Sequence, residues 1–240
     1  MAEPAARRQS ALGTLLAPRR VAGKDAVQLY ERENLTIRQI AAWRETEVTP
    51  LRTALTERLG IALPDGSDAA RAEGRVVLRI APRRWWLVED REPAAEAGLV
   101  GALAGRAALT DLSHARTVVR LEGTAGRSVL AKLCRIDLHP RALPPGRVAQ
   151  TALGHVPALI HTLEDAPGFD LYLPRSLAAS AVASLIDAAA DGREGSGRGP
   201  PARAPQPHDP ADRGVARRRA CAAARGLGRT ARHRLARRAR

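Results

Sequence analysis

The chain has 240 residues, 45% of them apolar, and carries a formal net charge of +14 with only three Trp, two Tyr and one Phe. A domain of this size can bury a substantial core, which must be built from Leu, Val, Ile and Ala, while so few rings leave few stacking platforms for bases. Two cysteines, Cys134 and Cys221, make neither a disulfide framework nor a zinc ligand set and point to a reducing compartment.

Residues 1–33 are Ala- and Arg-rich with weak periodicity and are expected to be poorly ordered. Their apolar stretch, Ala11 to Ala17, is too short and too polar for a signal peptide. A folded domain is expected over residues 34–190. It opens with Leu35 to Ala41, a loosely alternating strand. Thr49-Pro50 predicts an N-cap followed by Pro at the first helical position, and Leu51, Leu55 and Leu59 recur at four-residue spacing before Gly60. Arg75–Ala81 and Trp85–Glu89 flank Pro82-Arg83-Arg84 as a hairpin. Trp85 and Trp86 must then face opposite sides of their strand, one ring toward the core and the other a candidate interface anchor. Pro93 to Leu109 reads as an Ala-rich helix carrying Leu99, Val100 and Leu103.

A second pass of the same kind follows. Thr117 to Leu121 is a strand, Thr124 is expected to cap a helix bearing Val129, Leu130, Leu133 and Cys134, and two or three strands run through Val148–Thr162 and Phe169–Leu173. Ser176 is expected to cap a closing helix with Leu177, Ala181, Val182, Leu185 and Ile186 on its inner face. Strand, helix, strand, strand, helix is thus written twice, which predicts an α+β domain of two βαββα-type halves with helices on a largely antiparallel sheet. The longest apolar run, Leu177 to Ile186, contains Ser180 and Ser184 and stops at Asp187, short of the ~18 residues of a membrane span. A soluble, cytoplasmic protein with no membrane partner is expected.

The charge is unevenly placed. Residues 191–240 hold 14 arginines against 4 acids, whereas residues 1–190 hold 25 basic against 21 acidic residues, so the basicity describes a tail. Beyond Gly192 the bulky apolar residues are only Val215, Leu227 and Leu235. Each returns ~1.5–3 kcal/mol on burial against ~1–2 kcal/mol for every backbone ordered, which predicts a disordered tail. The abrupt change of composition at Gly192 raises the possibility of an alternative-frame extension.

Few residues carry chemistry. Gly123-Thr124-Ala125-Gly126-Arg127-Ser128 lacks both the leading Gly and the Lys of a phosphate loop. Asp111, Ser113 and His114 have the residue types of a hydrolytic triad, but His114 alternates to the other face in extended chain; Asp111 and Ser113 are expected to bond backbone at a strand entrance. His114, His139, His155 and His161 lack metal-ligand spacing, and Cys134 reads as a small buried residue. No catalytic, cofactor-binding or metal residue is assigned.

One long succession carries a resemblance. It runs from Asp111-Leu112-Ser113-His114-Ala115-Arg116 through Val118-Val119-Arg120-Leu121-Glu122-Gly123, Leu130 to Cys134, and Ile136-Asp137-Leu138-His139-Pro140-Arg141. It continues with Leu143-Pro144-Pro145-Gly146, Ala149-Gln150-Thr151, His155, His161 and Phe169 to Ser176. Over residues 35–190 the chain resembles the gamma subunit of heterotetrameric sarcosine oxidase and, more distantly, the folate-binding aminomethyltransferases. The resemblance implies an aminomethyltransferase-like fold and assembly with alpha, beta and delta subunits. It implies a complex that oxidises the N-methyl group of sarcosine to give glycine, hydrogen peroxide and a one-carbon unit taken up by tetrahydrofolate. FAD, FMN, NAD and tetrahydrofolate are expected on partner subunits and none on this chain, which has no G-x-G-x-x-G after a strand. Two other functions are compatible with the residues: a stand-alone folate-dependent transferase, and a nucleic-acid or anion binder acting through the Arg tail. The leading reading implies no nucleic-acid partner.

Overall fold

A strand covered on one face alternates apolar and polar residues, whereas one covered on both faces reads as a continuous apolar run. Phe169–Leu173 and Trp85–Val88 have the continuous character, interrupted only by Asp170. The computed structural model describes residues 10–13, 15–16, 19–21, 27–60, 62–72, 74–90 and 96–190, and both segments lie in sheets covered on two sides.

In chain order the described elements are β1 (Arg19–Val21), β2 (Val27–Glu31), β3 (Thr36–Ala42), α1 (Val48–Leu59), β4 (Ala69–Ala72), β5 (Arg75–Ala81), β6 (Arg84–Glu89) and α2 (Glu96–Leu103). Then come β7 (Ala107–Asp111), β8 (Arg116–Glu122), α3 (Gly126–Ala131), β9 (Val148–Leu153), β10 (Val156–Thr162), β11 (Gly168–Pro174) and α4 (Ala178–Ala190). The strands form two sheets, ordered β1-β2-β8-β11-β10-β9 and β4-β5-β6-β3-β7, with every neighbouring pair antiparallel. The architecture is α+β.

Three apolar layers follow from the alternation. On the outer face of the six-stranded sheet, Val119, Leu121, Ile160, Phe169, Leu171 and Leu173 pack under α3 and α4 through Val129, Leu130, Val182 and Leu185. The five-stranded sheet buries Ile40, Val77, Trp85 and Leu87 under α1 and α2, through Leu51, Leu55, Leu99 and Leu103. Between the sheets lie Ile37, Leu78, Trp86 and Val88 from one and Val118, Val148, Leu159 and Tyr172 from the other. Helices therefore cover a two-sheet sandwich from both sides. The strands approach closely: a Cβ on Gly168 would stand 2.7 Å from the Leu121 carbonyl oxygen, so the start of β11 has no room for a side chain.

Several expectations are corrected. Residues 27–31 are not irregular: β2 pairs with β8, and Val27 and Leu29 join Leu12 and Leu16 in the core beneath α4. Two apolar residues in a five-residue strand are too weak a pattern to see, and it is the pairing to β8 that selects it. The composition-drawn boundary at residue 34 accordingly cuts through the six-stranded sheet. Thr49 is not the N-cap of α1; a 3₁₀ turn over Glu45–Glu47 leads into the helix, and Glu47 precedes it. Pro50 then falls third in the helix, among the N–H positions that need no intrahelical partner. At the other end Gly60, at φ 66°, closes α1 by donating its N–H to the Thr56 carbonyl at 2.9 Å.

The helix expected to run to Leu109 stops at Leu103. Gly105 turns the chain at φ 72°, and Ala107–Asp111 becomes an edge strand paired to β3. Thr124 and Ser176 do not cap α3 and α4 either. The turn into α3 closes on backbone, with Gly126 N–H donating to Gly123 O at 3.1 Å, and Ser176 lies inside a 3₁₀ turn, Arg175–Leu177, ahead of α4. Each half has three strands between its helices; the extra one in the first half, β4, is four residues of Ala and Arg, too short to announce itself. The expectations for the tail, residues 191–240, and for Cys221 lie outside the described residues, as do those for residues 1–9. Among the described residues no helix is long and apolar enough to cross a membrane.

Candidate functional site

The residues singled out by type are used locally. Asp111 Oδ1 accepts the Ser113 N–H at 2.7 Å, and Ser113 Oγ accepts the Ile37 N–H at 3.0 Å, so the pair stitches the exit of β7 to β3. Burial would raise the Asp111 carboxyl, but the hydrogen bonds from Ser113 outweigh it and hold it below the ordinary value. His114 is exposed on the turn. His139 Nδ1 accepts the Arg141 N–H at 3.2 Å in a loop that Asp137 closes by accepting the His139 N–H at 2.8 Å. His155 is exposed in the β9–β10 turn, and His161 lies in the interior. The four histidines are not brought together, and among the described residues no group of three or more His, Cys, Asp or Glu is placed to hold a metal. Cys134 is a free, buried thiol whose pKa burial pushes up. Arg127, the lysine substitute in the loop-like segment, donates to the Leu138 and Leu143 carbonyls and lies over the Phe169 ring, 5.3 Å from its centroid.

Both neighbouring Trp rings are buried, which corrects the expectation that one of them faces a partner. Trp85 donates Nε1–H to the Pro64 carbonyl at 3.1 Å on the helix side. Trp86 points between the sheets, meets Tyr172 at 6.0 Å between ring centroids, donates to Gln39 Oε1 at 3.3 Å and lies under the Arg116 guanidinium at 5.1 Å.

The concentrated polar geometry lies elsewhere, in a cleft of about 410 Å³ between the two sheets lined by Arg32, Arg71, Arg75, Arg120, His161 and Asp170 among others. At its floor Asp170, 2% exposed, accepts Arg120 Nε–H at 2.7 Å and Nη2–H at 2.8 Å, and Arg32 Nη1–H at 3.0 Å. Arg32 also pairs with Asp90 at the end of β6, joining the sheets. Two further pairs cross between them, Arg71 to Asp165 at 2.5 Å and Arg147 to Asp68 at 2.7 Å. Tyr30 donates to Glu122 at 2.7 Å beside them; burial first, then that bond, raise its pKa. The hydrogen bonds to Asp170 raise the Arg120 pKa.

His161 stands opposite Asp170 in the β10–β11 register. Burial pushes its pKa down to about 4, so the ring is neutral at pH 7, and neither nitrogen has a hydrogen-bond partner among the described residues. A general base needs a proton within reach, and no described residue donates one to His161. Asp170 and Asp90 are committed to guanidiniums and share Arg32, so the assembly acts as an electrostatic clamp between sheets. Sequence reasoning missed it because Arg120, Glu122 and Asp170 occupy alternating strand positions that read as a solvated face. The polar residue inside the otherwise apolar run of β11 was the available signal.

The sequence profile of the sarcosine oxidase gamma subunit family matches residues 46–191. The chain belongs to that family. It is 31% identical over 147 residues to the sarcosine oxidase subunit gamma of Corynebacterium sp. strain U-96, an alignment covering 58% of this chain and 72% of that relative. It is 38% identical over 110 residues to the Arthrobacter sp. subunit gamma, covering 45% and 54% respectively. Among solved structures it resembles a chain of heterotetrameric sarcosine oxidase from Corynebacterium sp. U-96 in complex with pyrrole 2-carboxylate, with a TM-score of 0.64 and 32% identity over 72% of this chain and 88% of that one. In this family member the clamp residues all fall within or beside paired strands, so the sandwich and its polar floor are one construction.

Proposed function

We propose that the chain is the gamma subunit of a heterotetrameric sarcosine oxidase and is itself non-catalytic, supporting the oxidative demethylation of sarcosine to glycine with release of hydrogen peroxide and a folate-linked one-carbon unit. The observation that carries the reading is the likeness to the Corynebacterium heterotetramer chain, which extends over 88% of that chain at 32% identity. Its partners are the alpha, beta and delta subunits. FAD, FMN, NAD and tetrahydrofolate are held on those partners, and the assembly is cytoplasmic, where the buried Cys134 keeps its thiol. The domain is aminomethyltransferase-like, each half built as strand, helix, three strands, helix, and its working boundary takes in β2.

The physical support lies in how the polar residues are spent. Asp111 and Ser113 close a turn, Asp170 is engaged by two arginines, and His161 is neutral at pH 7 with no hydrogen-bond partner among the described residues. What the domain offers a complex is a stiff double sheet. Co-expression with the other three subunits, followed by size-exclusion chromatography and a sarcosine-dependent peroxide assay, tests the proposal. This chain is expected to elute with the flavoproteins, and omitting it to lower the yield of assembled complex. Elution as a lone monomer, or oxidation of an N-methyl amine by the isolated chain, would overturn it.

A further inference from the structure

Trp43 is the most exposed of the large apolar side chains described, at 61%, and it follows β3 directly at one end of the five-stranded sheet. Its backbone gathers arginines. The Trp43 N–H donates to the Arg106 carbonyl at 3.0 Å, the Ala42 N–H donates to the Arg83 carbonyl at 2.9 Å, and Arg83 Nη1–H donates to the Trp43 carbonyl at 3.1 Å. Arg84 pairs with Ala41 across β3 and β6, and Arg44 follows Trp43 in sequence. Arg44, Arg83, Arg84 and Arg106 are therefore backbone neighbours of one exposed indole. The acids nearby are Glu45, itself 3.8 Å from Arg83, and the half-buried Glu47.

The backbone at this patch is also costly. Arg83 follows Pro82 in the two-residue turn between β5 and β6 and adopts φ 59°, a conformation that glycine takes at no steric cost and that an L side chain resists by about 1–2 kcal/mol. An arginine held at an exposed turn where glycine would be easier points to a use for its side chain.

We propose that Trp43 with Arg44, Arg83, Arg84 and Arg106 forms the docking surface by which this chain binds an acidic face of a partner subunit, an inference that rests on the oxidase-subunit reading. The occupant follows from charge. Residues 191–240 carry 14 arginines against 4 acids and share the sign of the patch, a poor charge match for this surface. A second copy related by a two-fold axis would set the same arginines against themselves. An exposed indole with four arginines on the adjoining backbone has the composition of an interface hot spot, in which the ring is desolvated and the arginines set register and encounter rate.

The test uses the co-expressed complex with the affinity tag on a partner subunit, and reads the apparent affinity with which this chain is retained as salt is raised. Trp43→Ala, Arg83→Gly and Arg84→Glu are compared with Leu177→Ser, an exposed apolar residue in the helix layer of the other sheet. Trp43→Ala and Arg84→Glu are each expected to weaken retention at least tenfold, and wild-type retention to fall with salt. Arg83→Gly separates structure from recognition: it should leave the melting temperature unchanged or raise it, because the turn is relieved, yet weaken retention. Leu177→Ser should bind as wild type. Retention of the three patch variants at the wild-type level overturns the assignment while the subunit reading stands. Nuclease-sensitive retention overturns it in favour of a nucleic-acid surface, and no retention of the wild-type chain overturns the subunit reading together with it.

Discussion

The space between the two sheets has two regions, and they are held by different physics. In one, Trp86, Val88, Leu78, Tyr172, Leu159 and Val118 interdigitate as an apolar layer. In the other, Arg32 just past β2, Arg120 on β8 and Asp170 on β11 must satisfy each other, since an unpaired carboxylate at the buried Asp170 would lose its hydration without return. Residues two positions apart, Asp170 and Tyr172 on β11 or Val118 and Arg120 on β8, fall into different regions. Register between strands, more than residue type, decides which physics applies: Asp170 lies opposite Arg120 just as Tyr172 lies opposite Val118.

Breaking the apolar region should have the largest effect. Trp86→Ala removes a buried ring that contacts both Tyr172 and Arg116, and should destabilise by about 3–5 kcal/mol, read as a fall in the denaturant midpoint at unchanged slope. A loss below about 1 kcal/mol would mean that the sheets are not held there. Asp170→Ala leaves two guanidiniums facing each other over an uncharged floor and should cost about 3 kcal/mol, a melting temperature lower by roughly 6–12 °C in a domain of this size. Rescue by adding Arg120→Met to it would confirm that the unpaired charge, and not the lost carboxylate, carries the penalty.

His161 sharpens the comparison because it is polar without being paired. His161→Leu should change stability by less than about 1 kcal/mol at pH 7, since the neutral ring forfeits no hydrogen bond with a described residue. The pH dependence has a definite sign. With a folded pKa near 4 against an ordinary 6.5, the unfolded chain binds the extra proton, so the stability His161 contributes is present above pH 6.5 and is lost as pH falls through about 4. The Leu variant should lack that slope in urea titrations between pH 4 and 6.5, and an unchanged slope would place the titrating group elsewhere. The smallest effect belongs to Arg71→Ala: its ion pair with Asp165 is largely solvated and screened, and its loss should cost under about 1 kcal/mol, diminishing further at high salt.

Residues with strong local patterns were legible and residues that depend on a distant strand were not. The hairpin of β5 and β6 follows from apolar runs on either side of Pro82, and the end of α1 follows from Gly60. Three helix starts were misplaced for one reason. Thr49, Thr124 and Ser176 are good caps by residue type, yet each of those helices is entered through a tight backbone turn that leaves the side-chain oxygen uninvolved. The clamp went unseen because Arg32, Arg120 and Asp170 lie 138 and 50 residues from their partners.

The sequence by itself determined the α+β class, the local roles of Asp111 and Ser113, and the kinship carried by residues 111–176, because helix and strand periodicity, turn chemistry and motif order are properties of short segments. Only the tertiary structure decided that the strands form two sheets rather than one, that both Trp85 and Trp86 are interior while Trp43 is exposed, and that a chain of ion pairs closes one end of the sandwich. Those outcomes depend on which strands pair and in what register, and the free energy that selects a pairing comes from surfaces brought together across a hundred residues of chain.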